Sequence, residues 1–371
     1  MRSANLQVVR LLLLIAGVMV LSIWLVGALN LDYFAGDPLV YYERTAELFS
    51  GVTPYLEGEF EHLPLMLVPM LGAWALGGSS GPMEFRGAWV LLTAVAILGL
   101  GVMFRVIDTD RRGTAVRWLI VSSPLMPLVL FRTEPWLLLP VVFAILSFLR
   151  GNRIGAGLGT LSGVLAKGWP LLFVWWAWSR RWRTWVVAVA SVSVAALAAV
   201  ALTPGFSSGR AFDGLHSESF GGALSGLVES VRGTGPRVFG AAGAVYVDAP
   251  SWVALVGVVG LAIIAWHLWR VGRARDEAMP LVLGALLAGA MLALPLQSTQ
   301  FLWWLAPFVA FTRRISTLVG YMAICTAGAI GLATFEAVFS GSALWFGLVV
   351  VRNIGLFGVA LAMAEEAGAS N

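Results

Sequence analysis

The chain has little charge, few histidines and a single cysteine. Only 12% of its 371 residues are charged, whereas 59% are hydrophobic and the mean hydropathy is +0.86. An ordinary soluble domain carries about twice that charge, and the long unbroken apolar runs exclude the alternating pattern of a membrane β-barrel. Cys325 alone cannot form an intramolecular disulfide or a multi-cysteine metal site, and its apolar surroundings favour a core position. The sequence therefore predicts an all-α polytopic membrane protein.

The net charge of +4 comes from arginines that cluster between apolar runs. This clustering is typical of cytoplasmic membrane loops, so the positive charge does not indicate a nucleic-acid partner. The first apolar run, residues 6–29, is longer than a signal peptide and lacks a small-residue cleavage site, which predicts a retained anchor. The arginine clusters are Arg2/Arg10, Arg105/Arg111/Arg112/Arg117, Arg150/Arg153, Arg180/Arg181/Arg183, Arg270/Arg273/Arg275 and Arg313/Arg314.

The arginine clusters also predict that residues 62–78 do not cross the membrane. If this run crossed, every later cluster would lie outside, whereas all six fall inside if it lies along or dips into the outer leaflet. We therefore expect a GT-C-like bundle in one domain (residues 1–371), with about twelve crossings and both termini cytoplasmic. Its large external loops are 30–85 and 203–250. Five runs are too short for an untilted crossing and should be tilted or broken: 118–131, 136–149, 154–166, 169–178 and 301–312.

This topology brings the isolated polar residues of the chain to the external face. Polar groups that converge on one face of a helical bundle predict a shared site there. The candidates are Asp37, Glu61 and His62 in the first loop, Arg132, Glu134 and Lys167 between short apolar runs, His216 and Glu218 in the second large loop, and Gln297, Gln300 and Trp303 near the last external turns.

Asp37 has two compatible interpretations. It precedes Pro38 and a short amphipathic helix over 40–49, where an aspartate commonly caps the helix. A partly desolvated carboxylate at a membrane face can also remove a proton from a sugar hydroxyl. Both functions can be performed by the same residue.

Arg132, Glu134 and Lys167 interrupt apolar stretches, where a charge needs a partner or a function. Arg132 and Glu134 could form an ion pair with each other or with a neighbour, or face a lipid phosphate and a sugar. Lys167 needs an anion or a path to the interface, and a polyprenyl phosphate is a suitable anion. Arg352 raises the same question, and an acid such as Glu336 is a possible partner.

The other loop candidates also have a structural and a functional interpretation. Glu61 and His62 are either interfacial anchors or substrate contacts beside Asp37. His216 and Glu218 belong to a loop that is either simply solvated or a lid that binds the acceptor.

Gln297, Gln300 and Trp303 fit either the aromatic belt of a membrane interface or a sugar site with amide hydrogen bonds and ring stacking. No histidine spacing supports a metal, so we expect neither a metal nor a cofactor. Residues 108–110 read Asp-Thr-Asp, as in nucleotide-sugar enzymes, but they lie among arginines in a predicted cytoplasmic loop.

Several short motifs occur in a characteristic order. They are Gly36-Asp37 followed by Tyr41/Tyr42, Gly51-x-x-Pro54-Tyr55, Glu61-His62-Leu63-Pro64, Arg132-x-Glu134-x-Trp136, Ala166-Lys167-Gly168-Trp169-Pro170, His216-x-Glu218-Ser219 and Gln300-Phe301-x-Trp303. Together they resemble the integral-membrane glycosyltransferases of the GT-C fold. They are most similar to glycosyltransferase family 87, which includes polyprenol-phosphate-mannose-dependent mannosyltransferases.

The resemblance implies a polyprenyl-phosphate sugar donor that is used from the external leaflet. Asp37 matches the catalytic acidic residue of the family, and Lys167 matches a basic residue near the donor phosphate. The chain has His62-Leu63-Pro64 where the family often has Tyr-Pro-Pro, and Glu134 where it often has Asp. Gln297 and Gln300 stand where some members carry a histidine. These differences leave the donor sugar and the acceptor open, with mannose the expected sugar.

The expected reaction is a metal-independent inverting transfer to a glycolipid or glycan acceptor. Asp37 would deprotonate the acceptor hydroxyl, which attacks the anomeric carbon while the lipid phosphate leaves. Lys167 and Arg132 would stabilise that phosphate, and Glu61, His62, Glu134 and Glu218 would orient the sugars.

A transporter or lipid flippase is the alternative, because broken helices and intramembrane charges fit it as well. A flippase would form no new bond and would carry functional charges near mid-membrane or on both sides. A membrane scaffold would leave Lys167 and the acidic first loop unexplained.

Overall fold

The computed structural model describes residues 2–31, 35–54, 56, 63–107, 113–179, 182–203, 215–241, 244–249, 251–271, 276–294 and 297–369. Most of the described chain is α-helical. Glu61, His62 and the 108–110 triplet lie outside the described residues, so the structure does not test the predictions for them. The chain divides into two compact units, Met1–Ser208 and Gly209–Asn371.

The first unit is helical throughout its described part. Its helices are α1 (Arg2–Ala28), α2 (Asp37–Phe49), α3 (Leu67–Ala75), α4 (Pro82–Ile107), α5 (Thr114–Ser122), α6 (Met126–Val129), α7 (Glu134–Leu149), α8 (Arg153–Lys167), α9 (Leu172–Ser179) and α10 (Arg183–Ala201). Short 3-10 turns lie at Pro64–Met66, Gly78–Ser80, Ser123–Leu125 and Trp169–Leu171.

The second unit adds a small sheet to its helices. The helices are α11 (Phe220–Val231), α12 (Leu255–Val271), α13 (Met279–Ala293), α14 (Ala306–Val309), α15 (Ile315–Ala333) and α16 (Ala343–Ala369). The strands β1 (Leu215–His216), β2 (Val238–Ala241) and β3 (Ala244–Val247) form an antiparallel sheet in the order β1-β3-β2. Four 3-10 turns lie at Ser251–Ala254, Asp276–Ala278, Thr299–Leu305 and Phe335–Val338.

Five helices of the described chain are long and apolar enough to cross a membrane. Many of their outward side chains are large and apolar; on α1, for example, Leu13, Val20 and Trp24 are largely exposed. Such surfaces suit contact with lipid, because exposing an apolar side chain to lipid tails does not have the unfavourable free energy of exposing it to water. The five spans are Leu6–Ala28, Pro82–Ile107, Arg183–Ala201, Ile315–Ala333 and Ala343–Ala369.

The helix α4 is the centre of the first unit and packs against α1, α2, α3, α5 and α7. Its buried aromatic residues hold α2 in place, because Trp89 lies 4.6 Å from Tyr41 between ring centres. Tyr42, the next residue of α2, stacks on Trp74 of α3 at 5.7 Å. The start of α2, which carries Asp37, is therefore held by a packed aromatic cluster.

The helices α7 and α8 pack closely through a glycine. A side chain at Gly159 would lie 2.7 Å from the carbonyl oxygen of Pro140 and 2.8 Å from the amide nitrogen of Ala144. Only glycine allows this approach of the two backbones. It fixes the beginning of α7 relative to the end of α8, where Glu134 and Lys167 lie.

The helix α16 has the same central position in the second unit and packs against α11, α12, α13 and α15. The sheet and α11 cover one part of it through a core that includes Val247, Ala223 and Phe346. Near its end, Glu366 accepts hydrogen bonds from the Thr312 hydroxyl and from the Arg313 amide. The long helix is thus attached near both its beginning and its end.

The fold modifies several expectations. Residues 203–250 are more than a loop, because their described part contains the sheet and α11. Residues 301–312 are buried throughout and form a broken 3-10 and α-helical segment. The nine residues of α3 reach roughly 14 Å, about half of a hydrocarbon core, which agrees with a run that does not cross. The number of crossings and the single domain remain predictions.

Candidate active site

Asp37 is the first residue of α2 and is oriented by two contacts. Its Oδ2 atom forms an ion pair with Arg132 and accepts a hydrogen bond from the Tyr41 hydroxyl at 3.1 Å. The described residues place no donor on Oδ1, and 29% of the side chain is exposed. One carboxylate oxygen is held while the other can still accept a proton.

The capping interpretation of Asp37 is not supported. The N-cap residue is Gly36, and no side chain caps the helix. The prediction was wrong by one residue, because Asp37 and Pro38 already have helical geometry. The carboxylate still lies at the N-terminus of α2, where a negative charge is favourable.

Arg132 and Tyr41 both keep the proton that they share with Asp37. Burial alone would lower the pKa of Arg132, but the charge and hydrogen bond of Asp37, together with the charges of Tyr41 and Glu134, raise it. Burial, followed by the charge of Asp37, raises the pKa of Tyr41 well above its ordinary value. Both side chains therefore remain donors to Asp37 at physiological pH.

Glu134 opens α7 and is buried, with 1% of its surface exposed. No other described residue donates a hydrogen bond to either carboxylate oxygen, on which only the backbone amide of Glu134 itself acts. The positive charges of Lys167 and Arg132 act on it, but Arg132 pairs with Asp37 rather than with Glu134. A buried carboxylate without donors from other residues is rare in a purely structural position.

Lys167 ends α8 and is half-buried. A cation is favourable at this helix end, and Gly168 then turns the chain with a φ of +75°. Lys167 is also the only lysine in the sequence, a feature that marks it out without any structure. Four predicted site residues, Asp37, Arg132, Glu134 and Lys167, thus form one electrostatic cluster in the first unit.

In the second unit, Glu218 is the centre of a buried network. Arg352 donates from Nη1 to Glu218 Oε1 and to Thr299 Oγ1, both at 2.9 Å. The Thr299 amide donates to Glu218 Oε2 at 3.3 Å, and its hydroxyl donates to Oε1. Arg352 Nη2 and Asn353 Nδ2 both donate to the backbone oxygen of Glu218.

This network corrects the expected partner of Arg352. The partner is Glu218, whereas Glu336 is exposed. Both Glu218 oxygens are occupied, which favours a structural function for a residue that we expected to contact sugars. The apolar surroundings of Arg352 indicated that it needed an acid. They could not identify which acid, because the two residues are 134 positions apart.

His216 is neutral and structural in its contacts. Its Nδ1 accepts a hydrogen bond from the Glu218 amide at 3.3 Å, and the ring also bonds to the backbone of Gln297. Burial lowers the pKa of His216, although the charge of Glu218 opposes this. A direct contact of His216 with substrate remains a prediction.

The remaining candidates differ in burial. Gln297 is fully buried, and its amide atoms have no hydrogen-bond partner within the described chain. Gln300 is half-buried. Trp303 is also fully buried, so its ring offers no exposed face on which a sugar could stack in this conformation.

Comparisons with protein-family models, with curated proteins and with solved structures find no match. Within the described residues, no group of three or more histidine, cysteine, aspartate or glutamate side chains could hold a metal ion.

Proposed function

We propose that the chain is an integral-membrane glycosyltransferase. It transfers a hexose, with mannose the expected sugar, from a polyprenyl-phosphate donor to a glycolipid or glycan acceptor at the external face. The observation that supports this most is the geometry of Asp37, whose Oδ2 is held by Arg132 and Tyr41 while Oδ1 carries no donor from the described residues. A carboxylate in that state is oriented for general-base catalysis.

In this reaction Asp37 takes the proton of the acceptor hydroxyl through Oδ1. The hydroxyl oxygen attacks the anomeric carbon of the donor from the side opposite the phosphate, and the bond to the phosphate oxygen breaks. Lys167, which shares an electrostatic cluster with Asp37, stabilises the negative charge on the leaving phosphate. The step needs no metal ion.

The membrane arrangement belongs to the same proposal. About twelve helices cross the bilayer, both termini are cytoplasmic, and the cluster opens to the external leaflet. The five long apolar helices and the shortness of α3 support this topology. A lipid-linked donor would then reach the site from within the membrane.

The variant Asp37→Asn tests the proposal. The amide keeps an oxygen for Tyr41 and Arg132 but cannot accept the proton, so transfer should fall about 100-fold or more. The assay follows label from polyprenyl-phosphate mannose into lipid or glycan in membranes that contain the protein. Glu43→Gln, which removes an exposed carboxylate from the same helix, is the matched control and should keep full activity.

Full activity of Asp37→Asn would contradict the assignment of the base. Movement of the intact donor across the bilayer without a new glycosidic bond would instead support the transporter alternative. A panel of polyprenyl-phosphate sugars in the same assay identifies the donor.

A further inference from the structure

The Glu134 carboxylate is buried at the beginning of α7 without a hydrogen bond from any other described residue. Such a group is unfavourable as an anion, because burial removes its hydration and no neighbouring side chain donates a hydrogen bond in its place. Either a ligand must supply donors to it, or a proton must neutralise it. The charges around Glu134 indicate which of the two occurs.

The groups near Glu134 come from every neighbouring element. The helix α8 brings Lys167, the preceding turn brings Arg132, and α2 brings Asp37 and Tyr41. The helix α4 contributes a neutral hydroxyl, Thr93, which accepts a hydrogen bond from Trp136 at 3.3 Å, and Arg86, whose guanidinium lies 5.4 Å from the centre of the Phe131 ring. Among the described residues, the charges that act on Glu134 and Asp37 are two cations and two carboxylates, and these four balance.

A bound phosphodiester would disturb this balance. It adds one negative charge to a cluster whose described charges already balance, and an uncompensated charge in a buried position is strongly unfavourable. Asp37 forms an ion pair with Arg132 and accepts a hydrogen bond from Tyr41. Glu134 has no such donors, so it is the carboxylate that can accept a proton with the smallest loss of interactions.

We propose that Glu134 takes up one proton from solvent when a phosphate group binds beside Lys167, and releases it when the phosphate leaves. The inference rests on the phosphate-binding function proposed above for Lys167. Glu134 acts here as a charge-balancing residue, and Asp37 remains the base for the acceptor hydroxyl. Because binding consumes a proton, the affinity for phosphate falls as the pH rises.

Calorimetry measures this proton directly. The full-length protein in lipid nanodiscs is titrated with geranyl methyl phosphate at pH 6 to 8, in pairs of buffers with different ionisation enthalpies. This phosphodiester keeps a single charge in that range, whereas a phosphomonoester would itself titrate near neutral pH. We expect about one proton taken up per phosphate and a roughly tenfold loss of affinity per pH unit where uptake is complete.

Two variants assign the proton. Glu134→Gln should bind the phosphodiester without proton uptake and with an affinity independent of pH. Glu134→Asp keeps a carboxyl group and should keep the uptake, but the infrared band of the protonated carboxyl group that appears on binding should shift. If Glu134→Gln fails to fold, the wild-type titration still decides whether a proton is taken up, and Glu134→Asp still decides whether residue 134 takes it.

The outcomes separate this inference from the proposed function. If the wild-type protein does not bind the phosphodiester, the phosphate site itself is refuted, and with it the proposed function. Binding without proton uptake refutes only the inference about Glu134. Uptake that persists in Glu134→Gln, or a carboxyl band that does not shift in Glu134→Asp, assigns the proton to another group and also refutes the inference.

Discussion

Two buried glutamates of this chain have opposite surroundings. Glu218 is 3% exposed, and both of its carboxylate oxygens accept hydrogen bonds from Arg352 or Thr299. Glu134 is 1% exposed, and no other described residue donates a hydrogen bond to its carboxylate. A buried polar group with all its hydrogen bonds formed stabilises a single structure. A buried polar group without partners needs another explanation, such as a ligand that supplies them. The contrast separates a structural network in the second unit from a cluster suited to a ligand in the first.

The largest expected effect is a loss of stability when the hydrogen-bond network of Glu218 and Arg352 is broken. Arg352→Met leaves the Glu218 carboxylate buried without its cation and should lower the free energy of unfolding by about 3–5 kcal/mol. Thermal unfolding in detergent measures it. Arg314→Met, which breaks the exposed pair with Glu365, is the control and should cost less than about 1 kcal/mol. A loss from Arg352→Met no larger than that of the control would show that the network is not structural.

The next effect concerns Lys167 in the cluster of the first unit. It should appear in the transfer rate and not in the stability of the fold. Lys167→Gln removes the cation proposed for the leaving phosphate and should lower the transfer rate about 100-fold. Its unfolding temperature should stay close to that of the wild-type protein, because Lys167 is only half-buried. Lys167→Arg keeps the charge and should recover part of the rate. Equal losses of stability in Lys167→Gln and Arg352→Met would remove the contrast between the two regions.

A smaller effect depends on pH and reports on the second unit. Burial lowers the pKa of His216, so below its ordinary value of about 6.5 the unfolded chain binds a proton that the folded chain does not. Stability should therefore fall as the pH drops below about 6.5, by up to about 1.4 kcal/mol per pH unit. Unfolding measured between pH 7 and 5 should show a weaker slope in His216→Gln. His267→Gln changes a histidine elsewhere in the unit, and an equal weakening there would contradict the assignment.

The smallest expected effect is a loss of transfer rate when the hydrogen bond from Tyr41 to Asp37 is removed. Tyr41→Phe removes the hydroxyl that donates to Oδ2 but keeps the ring beside Trp89. A single hydrogen bond of this kind contributes about 1 kcal/mol, so the transfer rate should fall roughly fivefold. The control is Tyr42→Phe, whose ring stacks on Trp74. If both variants behave alike, the Tyr41 hydroxyl does not orient Asp37.

The sequence predicted the helical character of the chain and the residues of the first cluster. Charges within apolar runs are rare enough that Arg132, Glu134 and Lys167 could be selected from their positions. Asp37 was selected from its place in the first external loop and from the family resemblance. The ion pair between Asp37 and Arg132 was not predicted, because it joins residues far apart in the chain. Tyr41 could have been found, since it lies one helical turn after Asp37, where side chains meet.

The second unit was less predictable for two reasons. Its strands are only two to four residues long and give a weak pattern, so the sheet within residues 203–250 was expected to be a loop. The pairing of Arg352 with Glu218 depends on how α16 packs against α11, which local sequence does not determine. Trp303 fitted an exposed sugar platform by residue type, yet its ring is fully buried.

The central position of α16 also sets an order of events during synthesis. Arg352 follows Glu218 by 134 residues, which a ribosome translates in about 7 to 27 s. Throughout that interval the newly made Glu218 exists without the cation that later neutralises it. The nascent chain must keep this carboxylate in contact with water, or protonated, until α16 emerges, so the second unit cannot reach its final packing before its last helix has been made.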